Sequence, residues 1–515
     1  MGRVGCAFIT KDDNETRWND ILSRAGSLPA LSTLHLYRRL SVSFNPTPLH
    51  LDAPNLRILF IDCEGHINAP LLRTVQFLSL SKTFPISFRS ILASCNNLTE
   101  ISFVARDFSN YGIWKEIYAM LNNKPITSLT VAFVAWNTFT APSPITLPAL
   151  TSLMTNVPTP VRCAKVVELA VETELQETLD MLRALPSVRG LLIGSHIYSS
   201  TAAGASAVRD SPVIILPHLV GIEYRASADL HLCALLSALR MPRLSNLEMH
   251  LDVDLFQERH AAPALENASS NPRAWLDRLR HSMSSLAVHL KALTTGPVKL
   301  LIHMNDHPEL GPSVDFCARD SAIADGEYNG LSFSATARHS ASFTSPSPGD
   351  FSPFVHILPA FSWSTVTVLE MSSEVHWDAN THSSQIYSDL FSPQHASDFR
   401  SLTESLDAMA AVTTLVVHIG LHMGVTGIPV LKMERMEGPE LWPELTELTL
   451  VYGDDNAHAF TREWWKDVNT FLGRRRNKCR GRILSLEGVL DGQEECALRR
   501  EMEQAGVIFQ VLAIA

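Results

Sequence analysis

Cysteine, charge and recognisable catalytic motifs are all scarce in this chain of 515 residues. The 8 cysteines stand singly, with no Cys-x-x-Cys pair. That excludes a disulfide framework and the common zinc ribbons, and suits reduced, mostly buried thiols in a cytoplasmic protein or, alternatively, a nuclear one. Only 18% of residues are charged, and the net charge of -11 argues against nonspecific nucleic-acid binding, which needs clustered Lys and Arg. The sequence contains no phosphate loop, Gly-x-Ser-x-Gly elbow, His-Glu-x-x-His pair or dinucleotide glycine fingerprint. We therefore expect no enzyme and no cofactor.

Leader and membrane signals are equally thin. The opening MGRVGCAFITKDDNE has too short an apolar stretch and too early an acidic cluster for a signal peptide. Cys6 stands where a myristoylation signal wants Ser or Thr. Residues 408–431 lack Lys, Arg, Asp and Glu over a length that spans a bilayer. They also hold His418, His422 and Pro429, and their first half fits a repeat phrase. The expectation there is a buried strand followed by a loop, with no membrane contact.

What the chain does have is apolar content, 46%, and one recurring phrase, Leu-x-x-Leu-x-Leu. It reads Leu31-x-x-Leu34-x-Leu36, Leu56-x-x-Leu59-x-Ile61, Leu98-x-x-Ile101-x-Phe103 and Ile126-x-x-Leu129-x-Val131. Further copies start at Val166, Val188, Leu219, Leu244, Val366, Val412 and Leu445. Between them lie amphipathic stretches: Leu175, Leu179 and Leu182 share a helical face that Leu185-Pro186 ends. Helices are also expected over 113–121, 232–241, 399–409, 460–472 and 494–504, and on the stripe from Trp275 to Leu293. Helix, proline, short strand and repeat predict an α/β fold, an irregular leucine-rich-repeat solenoid with a strand wall and a helix wall.

Taking Leu34, Leu59, Val75, Ile101 and Leu129 as unit centres, the spacings are 25, 16, 26 and 28 residues. Leucine-rich units usually run roughly 20–29. No Asn recurs at the position that closes such units. The organisation expected is an N-terminal segment, 1–26, then a repeat region over 27–515. Insertions fall near 256–272 and 305–360, the second including the Ser-rich 332–353.

The phrases LPALSTLHL, APNLRILFI, MPRLSNLEMHL and LWPELTELTLV, with the closing CRGRILSLEGV and EECALRREMEQAG, resemble the leucine-rich regions of fungal-type F-box proteins. The resemblance covers the chain from about Ser27 onward. It implies repeats that hold a protein substrate, while an N-terminal F-box docks on a ubiquitin-ligase adaptor. The first 26 residues lack the Leu-Pro-x-Glu opening of an F-box. Three functions therefore stand open: a substrate-binding region of that kind, a structural or regulatory repeat protein without a ligase link, and an enzyme with an unrecognised hydrolase-type site.

Strand alternation yields the candidate binding residues. If the repeat leucines point inward, the outward wall carries Asp62, Glu64, Glu172, Glu174, Glu223, Glu248, His250, Asp252, Asp254, Glu370, Glu374 and Asp378. Arg39, Arg106 and Arg225 are their counterweights, and Tyr37 and Trp136 point outward beside them. Such a wall suits a basic protein partner. His250, Asp252 and Asp254 alternate on one strand face and would need a further ligand from a neighbouring strand to hold an ion. Alternation alone explains them as solvent-facing, so no metal is expected. The run Arg474-Arg475-Arg476-Asn477-Lys478 has the form of a nuclear-import patch or of a solvated helix end.

Overall fold

The computed structural model describes residues 6–11, 27–38, 52–62, 72–82, 88–105, 111–133, 142–194, 213–227, 235–236, 238–254, 297–307, 311–320, 330–338, 361, 363–375, 405–419, 441–452, 462–475, 478–485 and 493–511. It is a mixed α/β fold with a largely parallel sheet and few helices. The early strands are β1 (Cys6–Lys11), β2 (Thr33–Arg38), β3 (Ile58–Asp62), β4 (Phe77–Lys82), β5 (Glu100–Ala105) and β6 (Ser128–Phe133). Next come β7 (Ile145–Thr146), β8 (Ser152–Thr155), β9 (Val161–Arg162), β10 (Glu168–Val171), β11 (Gly190–Ile193) and β12 (Ile214–Ile215). The later ones begin with β13 (Gly221–Ser227), β14 (Leu239–Arg240), β15 (Asn246–Asp254), β16 (Val298–His307), β17 (Gly311–Asp320) and β18 (Gly330–Arg338). The last are β19 (Val366–Val375), β20 (Thr414–Ile419), β21 (Glu447–Tyr452), β22 (Arg480–Ser485) and β23 (Ile508–Val511). The helices are α1 (Phe88–Ser94), α2 (Tyr111–Met120), α3 (Leu175–Ala184), α4 (Arg462–Arg474) and α5 (Gln493–Gln504).

The chain divides into two compact units. The first comprises 1–219 with 238–242, and its strands run β1, β2, β3, β4, β5, β6, β8, β10, β11, every neighbouring pair parallel. The register sets Leu34, Leu59, Leu78, Ile101, Leu129, Leu153, Leu169 and Leu191 in one column, and all are at most 2% exposed. Each inner member of the column is flanked by its equivalents on both neighbouring strands, which no single repeat can achieve alone. Trp114 of α2 closes the core between β5 and β6, with its ring 5.3 Å from Phe103 and 6.2 Å from Phe133.

The register corrects two details of the repeat. Leu78, not Val75, pairs with Leu59, so the unit reads Val75-x-x-Leu78-x-Leu80. A further copy, Leu150-x-x-Leu153-x-Thr155, forms β8 between β6 and β10. Its last position carries a hydroxyl, but Thr155 is buried and donates to Val157 O at 2.7 Å, which satisfies it. The N-terminal segment set apart from the repeats also contributes to the sheet, since β1 pairs with β2 in parallel.

A hydroxyl ladder stands where an Asn was sought. The residue after the first leucine of the phrase is repeatedly Thr or Ser, and its side chain bonds the preceding repeat. Thr99 Oγ1 donates to Gln76 O at 3.3 Å, Thr127 Oγ1 to Thr99 O at 3.1 Å and Thr151 Oγ1 to Thr127 O at 3.1 Å. The same bond recurs in the second unit from Thr413 to Thr367 O and from Thr446 to Thr413 O, each at 3.1 Å. Two asparagines add turn-to-turn bonds, Asn55 to Pro29 O and Asn97 to Arg73 O. The carbonyls of Thr99, Thr127, Thr367 and Thr413 already accept backbone N–H groups of the next repeat, so each hydroxyl adds a further bond at the strand entry.

The second unit comprises 220–237 with 243–515. Its strands run β13, β15, β18, β17, β16, β19, β20, β21, β22, β23. Two of these pairings are antiparallel, β16 with β17 and β17 with β18. The chain thus runs from β15 to β16, folds back twice, and rejoins the parallel order at β19. Within the stretch 305–360, expected to be an insertion, β17 and β18 are strands of the sheet, and Ser332 stands on β18.

Helix expectations hold at 111–120, 175–184, 462–474 and 493–504. They fail at 239–240, where Leu239–Arg240 forms a short strand with β12. The stripe from Trp275 to Leu293 and the loop at 260–272 lie outside the described residues. Of the uncharged stretch 408–431, residues 414–419 form β20 as expected, and 420–431 lie outside the described residues. Among the described residues no helix is long and apolar enough to cross a membrane.

Candidate functional site

The candidate site is the outward face of the strands, and it differs between the units. In the first unit one register row runs His35, Phe60, Ser79, Ser102, Thr130, Met154, Ala170, Leu192. No acid or Lys/Arg falls on it. At one end the His35 ring stacks on Phe60 with centroids 4.1 Å apart, and Phe60 meets Phe77 at 5.2 Å. Burial holds the His35 imidazole below its ordinary pKa, favouring the neutral ring. Met154 is 45% exposed, large for an apolar side chain.

The expected acidic residues of this unit scatter rather than form a strip. Asp62 shares the outward face with Phe60, yet it is only 5% exposed. It sits at the end of β3, where an outward direction does not bring contact with water. Glu172 is half-buried at the end of β10, folded over Gly194, where an added Cβ would lie 2.3 Å from its carboxylate oxygen. Glu174 is exposed and stands at the N-cap of α3 without capping it through its side chain. Nearby Glu177 has its pKa pushed up to about 7, first by burial and then by the charges of Glu174 and Asp180. Glu64 lies outside the described residues, as do Arg39, Arg106 and Trp136.

In the second unit the outward acids whose side chains are described, Glu223, Glu248 and Glu370, are half-buried and paired. Glu223 pairs with Arg225, and Glu248 accepts from His250 at 2.7 Å. Glu370 lies between Lys299 at 2.6 Å and His418 at 2.7 Å, bridging β16, β19 and β20. Those contacts, led by the hydrogen bond from His418, hold its pKa down at about 2. Glu447, which sequence reasoning missed, pairs with Arg482 at 3.2 Å across β21 and β22. The missed signal was cross-strand: the partners of Lys299, His418 and Arg482 become visible only with the register.

Asp252 and Asp254 stand on β15 opposite Thr336 and Arg338 of β18, and Glu374 stands on β19 opposite Asn305. Asp378 lies outside the described residues. Of the trio His250, Asp252 and Asp254, only the His250 side chain is among those described. Glu223 and Glu248 are direct register partners, and with His250 they place three potential ligand atoms within 4.8 Å of one another.

The basic run at 474–478 is not a continuous solvated strip. Arg475 is 2% exposed, donating to Trp442 O at 2.8 Å and to Leu441 O at 2.5 Å, with its guanidinium 4.6 Å from the centre of the Phe471 ring. A buried cation bonded to carbonyls ties the end of α4 to the chain before β21. Trp465 is buried as well, its indole N–H donating to Glu501 at 2.8 Å.

No protein-family model matches this sequence, and no curated protein matches it either.

Proposed function

We propose that this chain is a noncatalytic protein-binding module, an irregular leucine-rich-repeat solenoid that engages a protein partner on its strand face. The observation that carries the proposal is the in-register column of buried leucines, from Leu34 to Leu191, with a variable outward row beside it. The core positions specify stacking, which leaves the outward positions free to specify a partner. Half-exposed Phe60 and Phe77 with exposed Met154 are the side chains on that face best suited to anchor an interface.

The partner expected from the sequence was basic. Pairing of Glu223, Glu370 and Glu447 with Arg225, Lys299 and Arg482 of the same unit offsets part of the acidic excess behind that expectation. We therefore place the partner contact on the uncharged row of the first unit. The test is affinity capture with mass spectrometry, using the intact chain and a variant with Ser102→Glu and Thr130→Glu. A partner captured by the first and lost by the folded second supports the reading. A partner retained equally by both overturns the assignment of the face. Pull-down with the ubiquitin-ligase adaptor then separates an F-box-like role from a structural or regulatory one.

A further inference from the structure

Resting on the assignment of the first unit's strand face as the binding surface, we propose that this face takes an extended, uncharged peptide segment of about seven residues, bulky and apolar at both ends. The segment lies across β3, β4, β5, β6 and β8, whose outward row supplies three zones in register. At one end Phe60 stacks on His35 and meets Phe77, with ring centroids 4.1 Å and 5.2 Å apart. The middle is Ser79, Ser102 and Thr130, and the far end is exposed Met154. Half-exposed rings and an exposed thioether are each suited to covering an apolar side chain.

The length follows from the register. Phe60 and Met154 stand four strand spacings apart, about 19 Å at roughly 4.7–4.9 Å each. An extended chain rises about 3.3 Å per residue, so six steps cover that distance and bring the first and seventh side chains to one side. The third and fifth then face the hydroxyl zone.

The hydroxyls are a second, independent observation. Those at the strand entry, on Thr99, Thr127 and Thr151, donate to carbonyls of the preceding repeat. Among the described residues, those of Ser79, Ser102 and Thr130 bond no protein group. Each can donate to a carbonyl or accept from an N–H of a backbone lying over it. On its strand-entry side the row is bounded by exposed Glu100 and Glu168, two residues earlier on β5 and β10. Those carboxylates repel an acidic segment, and the row itself offers no counter-charge to a Lys or Arg set down on it. A single neutral chain suits so narrow a strip.

The test is fluorescence anisotropy of the intact chain with a labelled, capped probe, Phe-Gln-Ser-Gln-Ser-Gln-Phe. We expect saturable binding that Phe60→Ala and Met154→Ala each weaken about fivefold or more, as anchor truncations do. The shorter probe Phe-Gln-Ser-Gln-Phe cannot reach both ends and should bind about fivefold more weakly or worse. Replacing both serines of the longer probe by lysine should weaken it as much, through the cost of burying an unpaired charge. No saturable binding, equal affinity of the two probe lengths, or equal or tighter binding of the lysine probe overturns the proposal. These probe comparisons need no variant to fold, and circular dichroism separates lost binding from lost folding in the variants. A captured partner that needs Ser102 and Thr130 unchanged but docks through a helix or a charged segment overturns this inference alone. A partner indifferent to charge at both positions overturns the strand-face assignment as well.

Discussion

The two units solve one packing problem with different outward chemistry. In the first, parallel strands follow one another in chain order, and the central outward row carries no acid or strong base. In the second, two antiparallel pairings interrupt the order, and the outward faces of β15, β16, β19, β21 and β22 carry ion pairs. The inward side hardly changes: Leu129 and Leu247 are both fully buried and sit in equivalent positions of the phrase. The repeat therefore constrains the core while leaving strand order and surface charge free to vary. Under the proposed function, binding properties belong to the part the repeat does not constrain.

The largest effect should come from the part that is shared. Leu129→Ala and Leu247→Ala each remove a side chain packed between neighbouring strands, at a cost of about 2–5 kcal/mol from lost transfer energy plus the cavity. Hydrogen exchange measured per strand should show lost protection around β5, β6 and β8 in the first case. In the second it should appear around β13, β15 and β18. Equal loss in both units from either substitution would erase the comparison, because the chain would then unfold as one body.

A middle-sized effect separates two carboxylates. Glu370 of the second unit has a folded pKa near 2, below its ordinary value of 4.5. A depressed carboxylate stabilises above its unfolded pKa, and that stabilisation is lost as pH falls from about 4.5 towards 2. Glu370→Gln should thus destabilise at neutral pH by about 1.5–3 kcal/mol, the range for hydrogen bonds to a charged group. Glu177 of the first unit is the reverse case, raised to about 7. Its folded form holds a proton that the unfolded chain releases, so it stabilises at low pH and loses that contribution as pH rises from about 4.5 through 7. Glu177→Gln should raise stability at pH 8 and change it little at pH 4. Denaturant unfolding of both variants across that range checks the opposite signs.

How much of this was legible in the sequence follows the same division. The leucine periodicity located about half of the described strands, and helix boundaries at 175–184 and 493–504 fell within a residue or two of expectation. Val75 was taken as a unit centre because nothing local distinguishes it from Leu78; only pairing with Leu59 does. The copy at Leu150 was passed over because its last position is Thr155, whose hydroxyl is satisfied inside the core. Sites fared worse, because period-two alternation assigns a side but not a neighbour. Lys299 and Glu370 are far apart in sequence and meet only through the pairing of β16 with β19. Asp62 shows the converse failure, an outward residue that does not reach water.

The smallest effect concerns salt and the proposed partner. A naked acidic strip would attract a basic partner over a distance set by the Debye length, about 30 Å at 0.01 M and about 8 Å at 0.15 M. Such steering raises association rates tenfold or more at low salt. Here Glu223, Glu370 and Glu447 each face a Lys or Arg of their own unit, so their fields largely cancel beyond a few ångströms. Docking on the uncharged row of the first unit removes the remaining dependence. The association rate of a captured partner should then change less than about threefold between those salt concentrations. Glu248→Lys should change it no more than that. A rate that falls tenfold or more with salt, and falls again on charge reversal at Glu248, would return the contact to the second unit and restore the basic partner expected from the acidic composition.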